Sequence, residues 1–187
     1  MTAMRLLLVP GLRDHVDEHW QTLLAQDVPG AHMVAPMGRE DLSCQRRVQA
    51  IDDAIASIEQ AVMLVAHSAG CVMVAHWAAH SPRVHRVQGA LLVTPPDFET
   101  PMPPGYPRPA QLQAGGWLPV PRQRLPFKSM VALSDNDPLA SPARVRALAQ
   151  AWGSDLAPLG AVGHLNPASG YGPWPQALDL IHQLALA

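Results

Sequence analysis

The chain has 187 residues, 48% hydrophobic and 15% charged, with a formal net charge of -2. That size and balance suit a single globular domain, expected over residues 1–187, with a sizeable core. Twelve of the 13 basic residues are Arg, scattered from Arg5 onward, so no basic stripe suits nucleic acid and no like-charged block marks an interaction tail.

The elements follow in chain order. "RLLLV" (Arg5 to Val9) reads as a strand closed by Pro10 and Gly11. The apolar run stops at Pro10, too short for a secretory signal. A helix is expected within Val16 to Gln26, where Trp20, Leu23 and Leu24 recur at helical spacing. "AHMVA" (Ala31 to Ala35) is a weaker strand. Asp41 or Ser43 can cap a helix whose inner face carries Val48, Ile51, Ile55 and Ile58. "AVMLVA" (Ala61 to Ala66) is a buried strand, followed by a helix from Ala69 to about His80 that Pro82 stops. "GALLVT" (Gly89 to Thr94) and "KSMVALS" (Lys128 to Ser134) are further strands. A helix from about Pro142 to Trp152 follows, then a poor strand, "DLAPLG", whose Pro158 suits a sheet edge. The last helix runs from about Pro175 to Leu186.

Continuous apolar strands alternating with helices predict a three-layer α/β/α sandwich with about six mostly parallel strands. Pro95 to Pro126 interrupts the pattern: it holds ten of the 20 prolines and reads as a structureless excursion or a wall over a site.

Between the third strand and its helix lies Ala66-His67-Ser68-Ala69-Gly70. Small residues on both sides of a serine at a strand-to-helix turn are what a nucleophile elbow requires. The turn would raise the hydroxyl above the sheet and set it at a helix N-terminus, which favours developing negative charge. Such a serine needs a base and an orienting acid on later loops, in the order Ser, Asp or Glu, His. "DNDP" supplies Asp135 and Asp137, and "GAVGH" supplies His164. Of the two carboxylates, Asp137 is favoured because Pro138 stiffens its turn and it lies farther from the strand; Ser141 can cap the next helix without it. Among the other histidines, His15, His19, His76, His80 and His182 fall in helical patterns, and His85 in a polar loop. His32 comes too early, and His67, next to the serine, should point away from it. In "VPGL" the turn at Pro10 and Gly11 leaves the Leu12 amide free to join the Ala69 amide as an oxyanion donor.

Nothing calls for a cofactor or metal. His76 and His80 have the i, i+4 spacing of a zinc pair but lack the following Glu. Cys44 and Cys71 form no C-x-x-C pair and read as reduced, buried thiols. No segment approaches the ~20 apolar residues of a membrane span. The expected setting is cytoplasmic, without a membrane or nucleic-acid partner.

These motifs resemble the small single-domain serine hydrolases related to retinoblastoma-binding protein nine and the bacterial YdeN proteins, within the α/β-hydrolase superfamily. The resemblance runs through "VPGL", "HWQ" (His19 to Gln21), "AHSAG", "SDNDP" and "GHLNPASGYGPW" (Gly163 to Trp174). Ala66 departs from the glycine more usual at that position. The resemblance implies an α/β-hydrolase fold and a triad of Ser68, Asp137 and His164; no inserted cap domain is visible, since the only long connection is Pro95 to Pro126. Together the readings give a cofactor-independent serine hydrolase of esters or related acyl compounds, acting on a small-molecule acyl substrate. A binding protein on the same fold, or an acyltransferase using the same triad, are the alternatives. The site is expected to be shallow, bounded by the Pro-rich segment with Trp117 as an apolar wall.

Overall fold

The computed structural model describes residues 4–13, 16–35, 37–38 and 40–186. Six strands form one sheet: β1 (Arg5–Val9), β2 (His32–Met33), β3 (Val62–His67), β4 (Val87–Val93), β5 (Lys128–Leu133) and β6 (Asp155–Pro158). Their order is β2-β1-β3-β4-β5-β6 and every pairing is parallel. The helices are α1 (Trp20–Asp27), α2 (Cys44–Ser57), α3 (Ala69–His80), α4 (Pro109–Ala114), α5 (Pro142–Trp152) and α6 (Gln176–Leu186).

Alternate strand residues feed two separate cores, because successive side chains of a strand point to opposite faces. Leu7, Leu64, Leu92 and Val131 pack with Ile51 and Ile55 of α2, Val72 and Trp77 of α3, and Leu148 and Trp152 of α5. Leu8, Val65, Leu91 and Ala132 pack with Trp20 and Leu24 of α1 and Leu180 and Ile181 of α6. Helices on both faces explain why the central strands carry almost no polar residues. α3 is apolar nearly all round, and eight of its residues are buried.

Local chemistry sets the ends. Ser43 caps α2 by accepting from the Arg46 amide, while Asp41 accepts from the Ser43 amide and pairs with Arg46. Ser141 caps α5 just before Pro142, and Gly153 ends it in the left-handed region at φ 67°.

α1 begins inside the expected range, at Trp20, because His19 is its N-cap and accepts from the Gln21 amide through Nδ1. Two expectations are corrected. β2 is only two residues, an edge strand. The Pro-rich stretch is not structureless: it contains α4, with Pro109 in the first turn, where a missing N–H costs nothing. His15, expected in a helical pattern, lies outside the described residues.

The Pro-rich segment is tied down at both ends. Asp97, near its start, takes two bonds from Arg144 of α5, at 2.8 and 3.0 Å. Near its end Trp117 donates Nε1–H to the Leu42 carbonyl at 2.8 Å, and the Leu125 amide donates to the Trp152 carbonyl. No described helix is long and apolar enough to cross a membrane.

Candidate active site

Ser68 leaves β3 and enters α3 at φ 56° and ψ -129°, a conformation that costs a non-glycine residue energy. Its hydroxyl makes no capping bond to the helix. The elbow fits because its neighbours are small. A Cβ on Gly70 would lie 2.3 Å from the Val9 carbonyl oxygen and 2.9 Å from that of Pro10. The end of β1 therefore demands this glycine. A Cβ on Gly11 would meet the Ser68 side chain at 3.1 Å, so the loop after β1 also runs close over the serine.

The residues expected to cooperate are brought together. Ser68 Oγ lies 2.8 Å from Nε2 of His164, and Nδ1 of His164 lies 2.8 Å from Oδ2 of Asp137. The side chains of His164 and Asp137 are 5% and 2% exposed, so the bond between them is shielded from water. The other Asp137 oxygen accepts from the Leu139 amide at 2.8 Å, fixing the carboxylate. Asp135 is exposed, with its amide bonded to the Gly160 carbonyl, and takes no part.

The loop carrying His164 is held by residues to which the sequence reading gave no such role. The Gly163 amide donates to Oδ1 of Asn136 at 2.7 Å, joining it to the acid loop. The His164 amide donates to Oγ of Ser169, which bonds Oδ1 of Asn166. Gly163 stands at φ 59°, and a Cβ there would meet Ser169 Oγ at 2.6 Å. The His164 carbonyl lies 2.9 Å from Nε2 of His67 and 3.5 Å from Oγ1 of Thr94. His67 thus reaches the base through its backbone, and it borders the same cavity as Ser68. The sequence signal for Asn136, Gly163, Asn166 and Ser169 was their place in the "SDNDP" and "GHLNPASGYGPW" motifs.

Three imidazoles meet here: the ring centroids of His19 and His67 are 4.6 Å apart, and those of His67 and His164 4.9 Å. Burial, and then repulsion from His164, lower the pKa of His19 to about 4. Burial pushes that of His67 well below 6.5, reinforced by His164 and His19. Both rings are therefore neutral near pH 7. The cysteines are free and buried, and burial raises both thiols, Cys44 to about 12, so neither competes as a nucleophile.

A cavity of about 430 Å³ opens above Ser68, within the usual range for small-molecule sites. Its far wall is the Pro-rich segment, through Phe98, Met102, Tyr106 and Pro107. Trp117 does not line it. That ring is fully buried and meets Phe98 edge-on at 5.4 Å, so it backs the wall. Leu12 and Ala69 both border the cavity beside Ser68, and among the described residues neither backbone amide donates to another backbone group. The histidines once weighed as a zinc pair are engaged elsewhere: His76 with the Trp117 carbonyl and His80 with the His76 carbonyl. Among the described residues no group of three or more His, Cys, Asp or Glu side chains is placed to hold a metal.

A parallel sheet carrying a serine elbow, and later loops that deliver a histidine and an aspartate to it, define an α/β-hydrolase-type protein. The sequence matches the serine hydrolase family over residues 6–183, and the chain belongs to that family. Its fold is similar to that of a YdeN-like hydrolase from Pectobacterium atrosepticum: TM-score 0.82, 29% identity, over 97% of this chain and 90% of that one. It is also similar to the ydeN gene product of B. subtilis: TM-score 0.76, 15% identity, over 99% of this chain and all of that one. A hydrolase from Oleispira antarctica aligns with TM-score 0.66 and 13% identity, over 98% and 91% of the two chains. No curated protein matches the sequence.

Proposed function

We propose that this protein cleaves carboxylic esters or related acyl compounds through an acyl-enzyme on Ser68. The observation that carries the reading is the unbroken Ser68–His164–Asp137 chain, 2.8 Å at each step, facing a partly apolar cavity. Nε2 of His164 takes the Ser68 proton as Oγ attacks the acyl carbonyl. Asp137 holds the imidazole with Nδ1 protonated and stabilises the positive charge it acquires. The Leu12 and Ala69 amides receive the oxyanion, at the N-terminus of α3, where the helix dipole adds to the effect. Collapse expels the leaving alcohol, which takes the proton back from His164. Water, deprotonated by the same nitrogen, then releases the acid and restores Ser68.

No step calls on a metal or organic cofactor, and the substrate is a small acyl compound. The wall of Phe98, Met102 and Tyr106 favours an apolar acyl group of modest length, which the cavity volume limits. The test is a series of nitrophenyl esters of graded chain length. kcat/KM should pass through a maximum and fall for chains too long for the cavity. Ser68→Ala should lower kcat by several orders of magnitude at every length, and dialysis against EDTA should change nothing. Unimpaired cleavage by Ser68→Ala contradicts the proposal, as does loss on chelation that a metal restores.

A further inference from the structure

The elbow places two side chains on the base, not one. Ser68 Oγ meets the ring of His164 at Nε2, 2.8 Å away. Its chain neighbour His67, on the other side of the turn, meets the backbone of the same residue, with Nε2 2.9 Å from the carbonyl oxygen. A carbonyl can only accept, so Nε2 of His67 carries the proton. The next residue, Leu165, sits at φ 46°, so the backbone just past this carbonyl would relax unless held. Thr94, itself at φ 46°, touches the same carbonyl only weakly, at 3.5 Å. His67 is in turn packed by the ring of His19 at 4.6 Å and edge-on by Trp20 at 5.9 Å, and is 5% exposed.

We infer that His67 is a positioning residue: its Nε2–H holds the His164 carbonyl, and through it keeps the His164 ring in line between Ser68 and Asp137. The inference rests on the reading of His164 as base. His67 borders the cavity beside Ser68 but moves no proton in the proposed chemistry. Its effect is on geometry, and a displacement of about 1 Å in a reacting group can cost about a hundredfold in rate. Because His67 and Ser68 are consecutive, any shift of the elbow moves nucleophile and base together. That would keep their separation constant while the surrounding loops move.

Three replacements separate this role from plain packing. In His67→Gln the side-chain amide can reach the position of Nε2 and still donate. In His67→Asn the amide is too short. His67→Leu has no donor. Each variant is assayed on a nitrophenyl ester, with active sites counted by fluorophosphonate uptake so that misfolded protein is excluded. Per active site, Asn and Leu should lose about tenfold to a hundredfold in kcat with KM within about twofold, and Gln should recover most of the loss. The low-field proton resonance of His164 Nδ1–H, assigned by its disappearance in Asp137→Asn, should persist in Gln and broaden or vanish in Asn. That signal reads the clamp without turnover, so it also decides the matter if Leu does not fold or if the wild type proves inactive on esters. Wild-type kcat per site in all three variants overturns the inference. So does a Gln variant no better than Asn, or a proton signal unchanged in Asn.

Discussion

Ser68, Thr94 and Leu165 are non-glycine residues at φ 56°, 46° and 46°, and all three surround the candidate base. Such angles cost on the order of 1–3 kcal/mol each and persist only where the surroundings enforce them. Here the enforcement is visible. The Ser68 amide donates to the Val93 carbonyl, the Thr94 amide to that of Ala132, and the Leu165 amide to that of Val162. The two nearby carboxylates differ at the same scale. Asp137 is buried against His164, whereas Asp135 is exposed. Asp137→Asn should therefore lower kcat by several orders of magnitude, because an amide cannot hold the imidazole in the productive tautomer. Asp135→Asn should stay within about threefold of wild type. Steady-state rates of the two variants on one ester check this, and the reverse order would exchange their roles.

At the scale of elements, the Pro-rich segment is both a wall and a structure held in place. Arg144 of α5 grips Asp97 with two bonds and also pairs with Glu99, which Arg122 meets at 2.8 Å. Burial would raise the Asp97 carboxyl, but bonds from Arg144, Thr100 and the Glu99 amide outweigh it and lower its pKa. Arg144 is 40% exposed, so its removal should cost only about 1–2 kcal/mol, mostly from leaving Asp97 under-bonded. Arg144→Met should lower Tm by several degrees. Phe98 follows Asp97 directly and lines the cavity, so KM for an apolar ester should rise severalfold while kcat stays within about twofold. An unchanged KM would mean that the wall does not depend on this anchor.

These elements also show what was legible in the sequence. Strands such as "AVMLVA" were legible because burial on both faces leaves nothing polar in them. Ser68, Asp137 and His164 were legible because an elbow and its partners must follow strands in a fixed order. α4 was not, because the local proline density hides the fact that Pro109 occupies a position where proline is favoured. β2 shrank because an edge strand has only one neighbour to hold it. The bonds from His67 and Asn136 to the base loop were illegible, since they join residues 97 and 27 positions apart and no local pattern encodes that proximity.

Across the whole molecule the buried imidazoles set a limit in acid. Folded His19 stays neutral until about pH 4, and folded His67 also titrates well below 6.5, the ordinary value for both. Between these limits the unfolded chain binds protons that the folded protein refuses. Stability is thus fully present above about pH 6.5 and falls as the pH drops toward 4, by up to about 1.4 kcal/mol per unit for each group. The depressed carboxyls of Asp52 and Asp97 act in the same direction but only below their ordinary value of 3.8. Thermal unfolding should therefore show Tm falling by several degrees between pH 7 and pH 5. A Tm flat over that range would show that these rings are not buried neutral. The central claim, a nucleophile at Ser68 activated by His164 and Asp137, is tested most directly by mapping where a fluorophosphonate attaches. Intact mass and peptide mapping should find one adduct per chain, on Ser68, formed rapidly in the wild type, far more slowly in Asp137→Asn and not at all in Ser68→Ala. An unlabelled wild type, or an adduct on any other residue, would contradict it.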